Sequence, residues 1–232
     1  MTIVDDIDDI IRMRRTKRAF LRKPVKQAVV REILSVASFA PSSSNTQPWR
    51  CYVLTGQARD RVSTGALAAW QASAEQLVAD YPYFPQVLPK PYGERFNLFR
   101  RELGDVKEMG QADLHSDISC CRVQYMERQF QFFNAPIGII FTIDRRLEAG
   151  SFLCYGTFLQ NIMLAAKARG LDTCAQQVWS MQQVFLRQEL SLCEHEMVIA
   201  GLALGWADNR VVVNRLPMQK LGIDDFATFL RG

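Results

Sequence analysis

Ala40-Pro41-Ser42-Ser43-Ser44-Asn45-Thr46-Gln47-Pro48-Trp49 is the stretch on which the reading of this chain turns. Two prolines hold a polar bend between them, and a tryptophan closes it. Proline lacks an N–H and disfavours helical geometry in the residue before it, so Pro41 ends whatever helix precedes it. The segment before it, about 26–39, follows Pro24 and carries Val29, Ile33, Leu34 and Ala37 at helical spacing. It reads as a helix. Trp49 to Thr55 is rich in β-formers and reads as a strand. Serine, asparagine and proline are ordinary turn residues, and turn chemistry alone accounts for them. Their hydroxyl and amide groups on a stiff loop also suit the donors and acceptors along the edge of a flat heteroaromatic ring.

Outward from the bend, Ile3, Ile7, Ile10 and Ile11 recur among aspartates, which predicts an amphipathic helix over 2–13 with a negative outer face. The alanine-rich run from Gly56 to Asp80 reads as another helix. Pro82, Pro85, Pro89 and Pro91 then break any helix. With the helical stretches that follow to about 131, this segment is expected to form a lid over a site, a surface linker being the plainer alternative. Pro136 to Ile143 reads as a strand, 151–169 as a buried helix with Gly170 as its cap, Leu171 to Val178 as extended, 181–190 as helical and Met197 to Leu204 as a buried strand. The tail from Asn214 contains Pro217 and Gly222 and reads as an arm. The alternation predicts one domain over 1–232, α+β or α/β, with helices on both faces of a sheet and a variable lid or insertion at about 81–131.

Bulk properties exclude several functions. A net charge of +4 with dispersed Lys and Arg is too mild to argue for nucleic acid. The cysteines at 51, 120, 121, 154, 174 and 193 form no CxxC pair, and the only histidines are His115 and His195, so no metal centre is expected. Cysteines within apolar runs imply reduced thiols and a cytoplasmic home. Asp5, Asp6, Asp8 and Asp9 leave no room for a signal peptide, and the apolar run 152–168 includes Gln160, Asn161 and Lys167, so no membrane span is expected. No GxGxxG or GxxxxGK[ST] motif is present, so any nucleotide must be held another way.

Arg14-Arg15-Thr16-Lys17-Arg18 offers that other way. Extended or helical, the segment lets Arg14 and Arg18 converge on one anion, with the Thr16 hydroxyl as a further donor. Each charge-assisted hydrogen bond to a phosphate contributes roughly 1.5–3 kcal/mol. A solvated basic turn or a nucleic-acid arm remains the alternative. Gly170-Leu171-Asp172-Thr173-Cys174-Ala175-Gln176-Gln177-Val178 links two helices and can aim backbone N–H groups at a ligand; Cys174 itself reads as a core thiol. Asn214-Arg215-Leu216-Pro217 adds a cation near a chain reversal.

In their order along the chain, these pieces resemble the nitroreductase family. The matching pieces are Arg-Arg-Thr-x-Arg at 14–18, the Ala-Pro-Ser-Ser turn, Gly-Leu-Asp-Thr-Cys at 170–174, and Leu204-Gly205-Trp206 with Asn214-Arg215-Leu216-Pro217. Asn134-Ala135-Pro136 before a strand is also similar to the family, and the resemblance is weakest from about 57 to 130. It implies an α+β nitroreductase-like fold, a central and mainly antiparallel sheet wrapped by helices, in an intertwined homodimer with FMN at the subunit interface. By the same resemblance Arg14, Arg15, Thr16, Arg18 and Arg215 hold the phosphate, ribityl and pyrimidine parts. Pro41, Ser42, Ser43 and Asn45 approach the ring from the partner subunit. Ala175, Gln176, Gln177 and Val178 line the side towards flavin N5. The implied reaction is ping-pong: NAD(P)H gives a hydride to N5 and leaves, and a nitroaromatic or quinone then takes the electrons. Tyr81, Tyr83, Phe84, Tyr92, Phe96, Phe99 and Trp70 are candidates to stack on such a substrate. Reductive dehalogenation, flavin destruction and a flavin-binding regulator without turnover stay open as alternatives on the same fold.

Overall fold

The computed structural model describes residues 3–73, 77–82, 84, 85, 87–104 and 118–230. The helices are α1 (Ile3–Met13), α2 (Gln27–Ala37), α3 (Gly56–Ser73), α4 (Tyr92–Gly104), α5 (Ile118–Phe130), α6 (Gly150–Ala168) and α7 (Gln183–Glu189). The strands are β1 (Phe20–Leu21), β2 (Arg50–Thr55), β3 (Ile137–Asp144), β4 (Asp172–Gln176) and β5 (Glu196–Ala207). They make one sheet in the order β1-β5-β3-β2, with β4 also paired to β5, and every pairing is antiparallel. The α+β expectation therefore holds.

Long apolar strands force this arrangement. β3 is buried on both faces, so its alternate side chains feed two cores. Ile137, Ile139, Phe141 and Ile143 pack with Val30 and Ile33 of α2 and with Tyr155, Phe158 and Ile162 of α6. Ile140 faces the other core, with Val62 of α3, Phe130 of α5 and Leu186 of α7. In β5 a register shift opposite Phe141 and Thr142 leaves Ile199 as an extra residue. Such a bulge frees a backbone carbonyl, and Tyr81 donates its hydroxyl to the Ile199 carbonyl. On the α3 side Phe132 and Trp179 stack with centroids 4.4 Å apart. They lie over Gly138 and Gly201, where an added Cβ would strike the Phe132 ring or the Trp179 indole.

The differences from the sequence reading have local causes. β1 is only two residues long and exists through its pairing with Trp206 and Ala207. The extended stretch predicted to reach Val178 ends at Gln176, where a 3-10 turn (Gln177–Gln182) begins. The helix predicted over 151–169 buries one face only, and Leu153 on its other face is 78% exposed. α1 has the predicted amphipathic pattern, yet its Ile3, Ile7 and Ile11 are exposed too. Gly170 caps α6 with φ +73°, as expected for a residue without a Cβ. The helix predicted to Asp80 ends at Ser73 among the described residues. Of the proposed lid, 105–117 and Tyr83 lie outside the described residues.

Candidate functional site

α1 delivers the basic segment to the sheet. After Met13 the chain extends, Thr16 bridges in parallel to Thr173 of β4, and the Lys17 N–H donates to the Thr173 carbonyl at 3.1 Å. The Arg18 N–H then donates to Asn214 Oδ1 at 2.7 Å, and Lys17 Nζ donates to the Asn214 carbonyl at 2.7 Å. Arg215 follows Asn214, which accepts from the Arg18 N–H, and is exposed. Arg14, Thr16, Arg18 and Arg215 thus share one region. Arg15 is exposed and folds its guanidinium back on the carbonyls of Arg12 and Arg14. Lys17 serves as a tie.

The charges here are shaped by burial. Burial lowers the Arg14 pKa, helped by repulsion from Arg15. Burial likewise lowers that of Lys17, with Asp172 acting in the opposite direction. Burial works against the Arg18 cation as well, but the Tyr125 hydroxyl and the Cys174 sulfur more than offset it, and its pKa is raised. Cys174 is pushed up to about 11 by burial and stays a thiol, in keeping with its reading as a core residue. Arg18 Nε donates to the Tyr125 hydroxyl at 3.2 Å, and its guanidinium carbon lies 5.0 Å from the Phe99 ring centroid. Among the described residues no acceptor is met by its two terminal nitrogens. The Thr173 hydroxyl is buried without a partner as well. A half-buried cation and a buried hydroxyl with donors to spare fit a ligand carrying phosphate and ring carbonyl oxygens.

β4 supplies the neighbouring edge. Thr173 turns its backbone groups towards Lys17, and the two-residue period of a strand turns those of Ala175 the same way. Ala175 is exposed and Val178 is buried. Gln176 is buried, donates from Nε2 to the Gln129 carbonyl at 2.7 Å, and leaves its Oε1 without a partner. Gln177 is exposed, and its carbonyl accepts from the Ser180 hydroxyl at 2.8 Å.

The polar bend is built on α6. The Thr157 hydroxyl donates to the Pro41 carbonyl at 3.0 Å, the Ser43 N–H points at Cys154 Sγ, and Trp49 stacks on Phe158 at 4.7 Å. The Ser42 hydroxyl accepts from the Gln47 N–H at 3.0 Å, closing the turn. Ser44, Asn45 and Gln47 sit at φ 48°, 57° and 47°, a left-handed and strained backbone that the surrounding contacts hold in place. This places the bend on the first half of α6, whereas Thr16 meets the chain just past its far end. From Thr157 to Ala168 the helix spans roughly 17 Å. One chain therefore does not bring Pro41, Ser42, Ser43 and Asn45 onto its own Arg14 and Arg18.

Two open clefts, of about 530 and 410 Å³, lie elsewhere, around Arg187 and His195 and around Arg22 and Arg59. Neither of these two is lined by any of these residues. Among the described residues no group of His, Cys, Asp and Glu is placed to hold a metal, and no helix is long and apolar enough to cross a membrane. Sequence reasoning missed Tyr125, and it named Phe99 only as a substrate-stacking candidate and Asn214 only within the 214–217 motif; all three hold Arg18. Of the aromatic candidates, Trp70 packs on Phe130 in the core, Tyr81 packs on Phe152, and Phe84 packs on Phe96.

Comparison with known proteins identifies the family. The chain is 56% identical to chloronitrobenzene nitroreductase of Comamonas testosteroni, over 97% of this chain and 96% of that one. It is 55% identical to nitrobenzene nitroreductase of Ectopseudomonas oleovorans, with the same coverage. Its fold matches the crystal structure of the FMN-dependent nitroreductase NfnB from Mycobacterium smegmatis in complex with NADPH, with a TM-score of 0.89, 28% identity, and 99% and 100% of the two chains covered. The model of the nitroreductase family matches residues 11–206, and with relatives this similar over nearly the whole length the chain belongs to the nitroreductase family.

Proposed function

We propose that this protein is an FMN-dependent oxidoreductase that uses NAD(P)H to reduce nitroaromatic compounds. The carrying observation is the basic segment sewn to β4 at Thr16–Thr173, with Arg18 half-buried beside Asn214 and its terminal donors unspent. The relatives named for chloronitrobenzene and nitrobenzene reduction supply the acceptor class. When bound, FMN supplies the hydride chemistry, so no acid–base triad is needed. The residues of this chain bind and orient. Arg14 and Arg215 hold the phosphate, with Arg15 at its margin. Thr16 and Arg18 meet the ribityl and pyrimidine parts. The edge at Ala175, Gln176, Gln177 and Val178 borders the reactive side.

The protein acts as a homodimer in this reading. Pro41, Ser42, Ser43 and Asn45 of one subunit close the ring site of the other, because α6 keeps them from their own. The lid at about 81–131 covers the small aromatic substrate, and the enzyme works in the cytoplasm, without nucleic acid or membrane partners. The test is to purify the protein with FMN and follow NADPH and NADH oxidation with a nitrobenzene acceptor. The expected result is a yellow protein with one FMN per chain and turnover that requires the acceptor. Arg18→Ala is expected to weaken FMN binding at least tenfold while the fold is kept. A colourless protein that ignores added FMN would sink the assignment.

A further inference from the structure

We infer that Tyr125 is a positioning residue: its hydroxyl fixes the direction in which Arg18 presents its terminal nitrogens, and so ties α5 to the electronic state of the cofactor. This rests on the FMN reading above. Arg18 is gripped at every point except the one that faces a ligand. Its N–H donates to Asn214 Oδ1, its carbonyl accepts from Arg128 at 3.1 Å, and its Nε donates to Tyr125 at 3.2 Å. The guanidinium carbon stands 5.0 Å from the Phe99 ring centroid. A guanidinium is a rigid plane of five donors. Once its face rests on Phe99 and its Nε–H points at Tyr125, the terminal N–H directions are fixed.

Tyr125 is itself held, with its ring 6.0 Å from that of Phe133, so the hydroxyl is a fixed post. The Tyr125 pKa is raised, by burial above all, so it remains a neutral hydroxyl and leaves the Arg18 charge undiminished. Without the hydroxyl the long side chain regains rotamers, and the cation points at the ring only part of the time. A reduced flavin is the more negative state, so it loses more from this than the oxidised one. Oriented Arg18 therefore raises the midpoint potential, and Tyr125 acts through it.

The experiment measures the two-electron midpoint potential of bound FMN by dye equilibration, with oxidised-FMN affinity and the thermal midpoint alongside. The chains are the unaltered protein, Tyr125→Phe, Arg18→Lys and the double variant. Tyr125→Phe is expected to keep the thermal midpoint, weaken oxidised FMN by no more than a few-fold and weaken reduced FMN about tenfold more, a shift of about 30 mV to the negative. In the Arg18→Lys chain, which keeps a charge and loses the planar fork, Tyr125→Phe is expected to shift nothing further. Phe99→Leu, which frees the guanidinium face, is expected to move the potential in the same direction and guards against a Tyr125 variant that misfolds. An unmoved potential in Tyr125→Phe, or an equal shift in the Arg18→Lys chain, overturns the inference. If the unaltered protein binds no FMN at all, the functional reading fails first, and the two failures are told apart by that control.

Discussion

At the scale of single residues, the chain buries a carboxylate at the end of β5 opposite Arg18. The Glu196 carboxylate accepts from the Tyr52 hydroxyl at 2.6 Å, from the Thr142 hydroxyl at 2.8 Å, and from Arg50. Burial raises its pKa, but the hydrogen bonds from Tyr52, Thr142, Arg50 and Cys193 win and hold it below the usual carboxylate value. Tyr52 is pushed up to about 12 by burial and by Glu196, so its proton stays in place. The stability that this carboxylate contributes is fully present above the unfolded value near pH ~4.3 and is lost as pH falls through the lower folded value. Glu196→Gln is expected to destabilise the fold by about 2 kcal/mol at neutral pH. It is also expected to flatten the acid limb of the stability curve below about pH 4. Thermal melts from acid to neutral pH check this, and an acid limb as steep as that of the unaltered protein would refute it. The Arg50 arm is mostly solvated and counts for little in that figure. At this scale the sequence announces its cations but not what steers them. Arg14, Thr16 and Arg18 stand out because charges cluster within five positions. Tyr125 stands 107 residues from Arg18 and has no local signature at all.

Elements were more legible than contacts. β3 and β5 are long apolar runs and α2 has clear periodicity, so β3 and α2 read from the sequence to within two residues and β5 to within three. β1 did not, because two residues carry no pattern and only the pairing with β5 makes them a strand. β4 stops at Gln176 because Trp179 must turn inwards to reach Phe132, and that requirement is tertiary. The same packing makes Gly201 unforgiving. A Cβ there would sit 2.2 Å from Trp179 Cδ1. Gly201→Ala is expected to cost about 1–3 kcal/mol and lower the thermal midpoint by several degrees. It should also change the near-ultraviolet circular dichroism of the tryptophan stack. Since Gly201 is the register partner of Gln176, FMN affinity should fall with it. An unchanged near-ultraviolet spectrum with full stability would contradict this account of the strand end.

On the scale of the molecule, a single chain exposes more apolar surface than its function in isolation explains. Phe39 is 86% exposed, Leu153 78% and Leu230 91%, and Ile3, Ile7 and Ile11 of α1 join them. Two of these flank α6 and the polar bend, the wall that the proposed shared site takes from the partner subunit. Exposed large apolar side chains in this number fit the proposed interface between subunits. The expected species is twice the chain mass of 26.5 kDa in sedimentation velocity. Phe39→Asp is expected to shift it towards the single chain and to weaken FMN binding at least tenfold, although Phe39 does not touch Arg18. A monomeric variant that stays fully yellow would contradict the shared site. The Ala-Pro-Ser-Ser motif advertised the bend but not its distance from the cations, since distance belongs to the folded helix between them. In the proposed homodimer that helix would be a ruler, with both centres of the pair cut to its length. Lengthening it by a single turn would throw the two centres out of alignment at once, while two differently crippled chains, one lacking its cations and the other its bend, could still assemble one working centre between them.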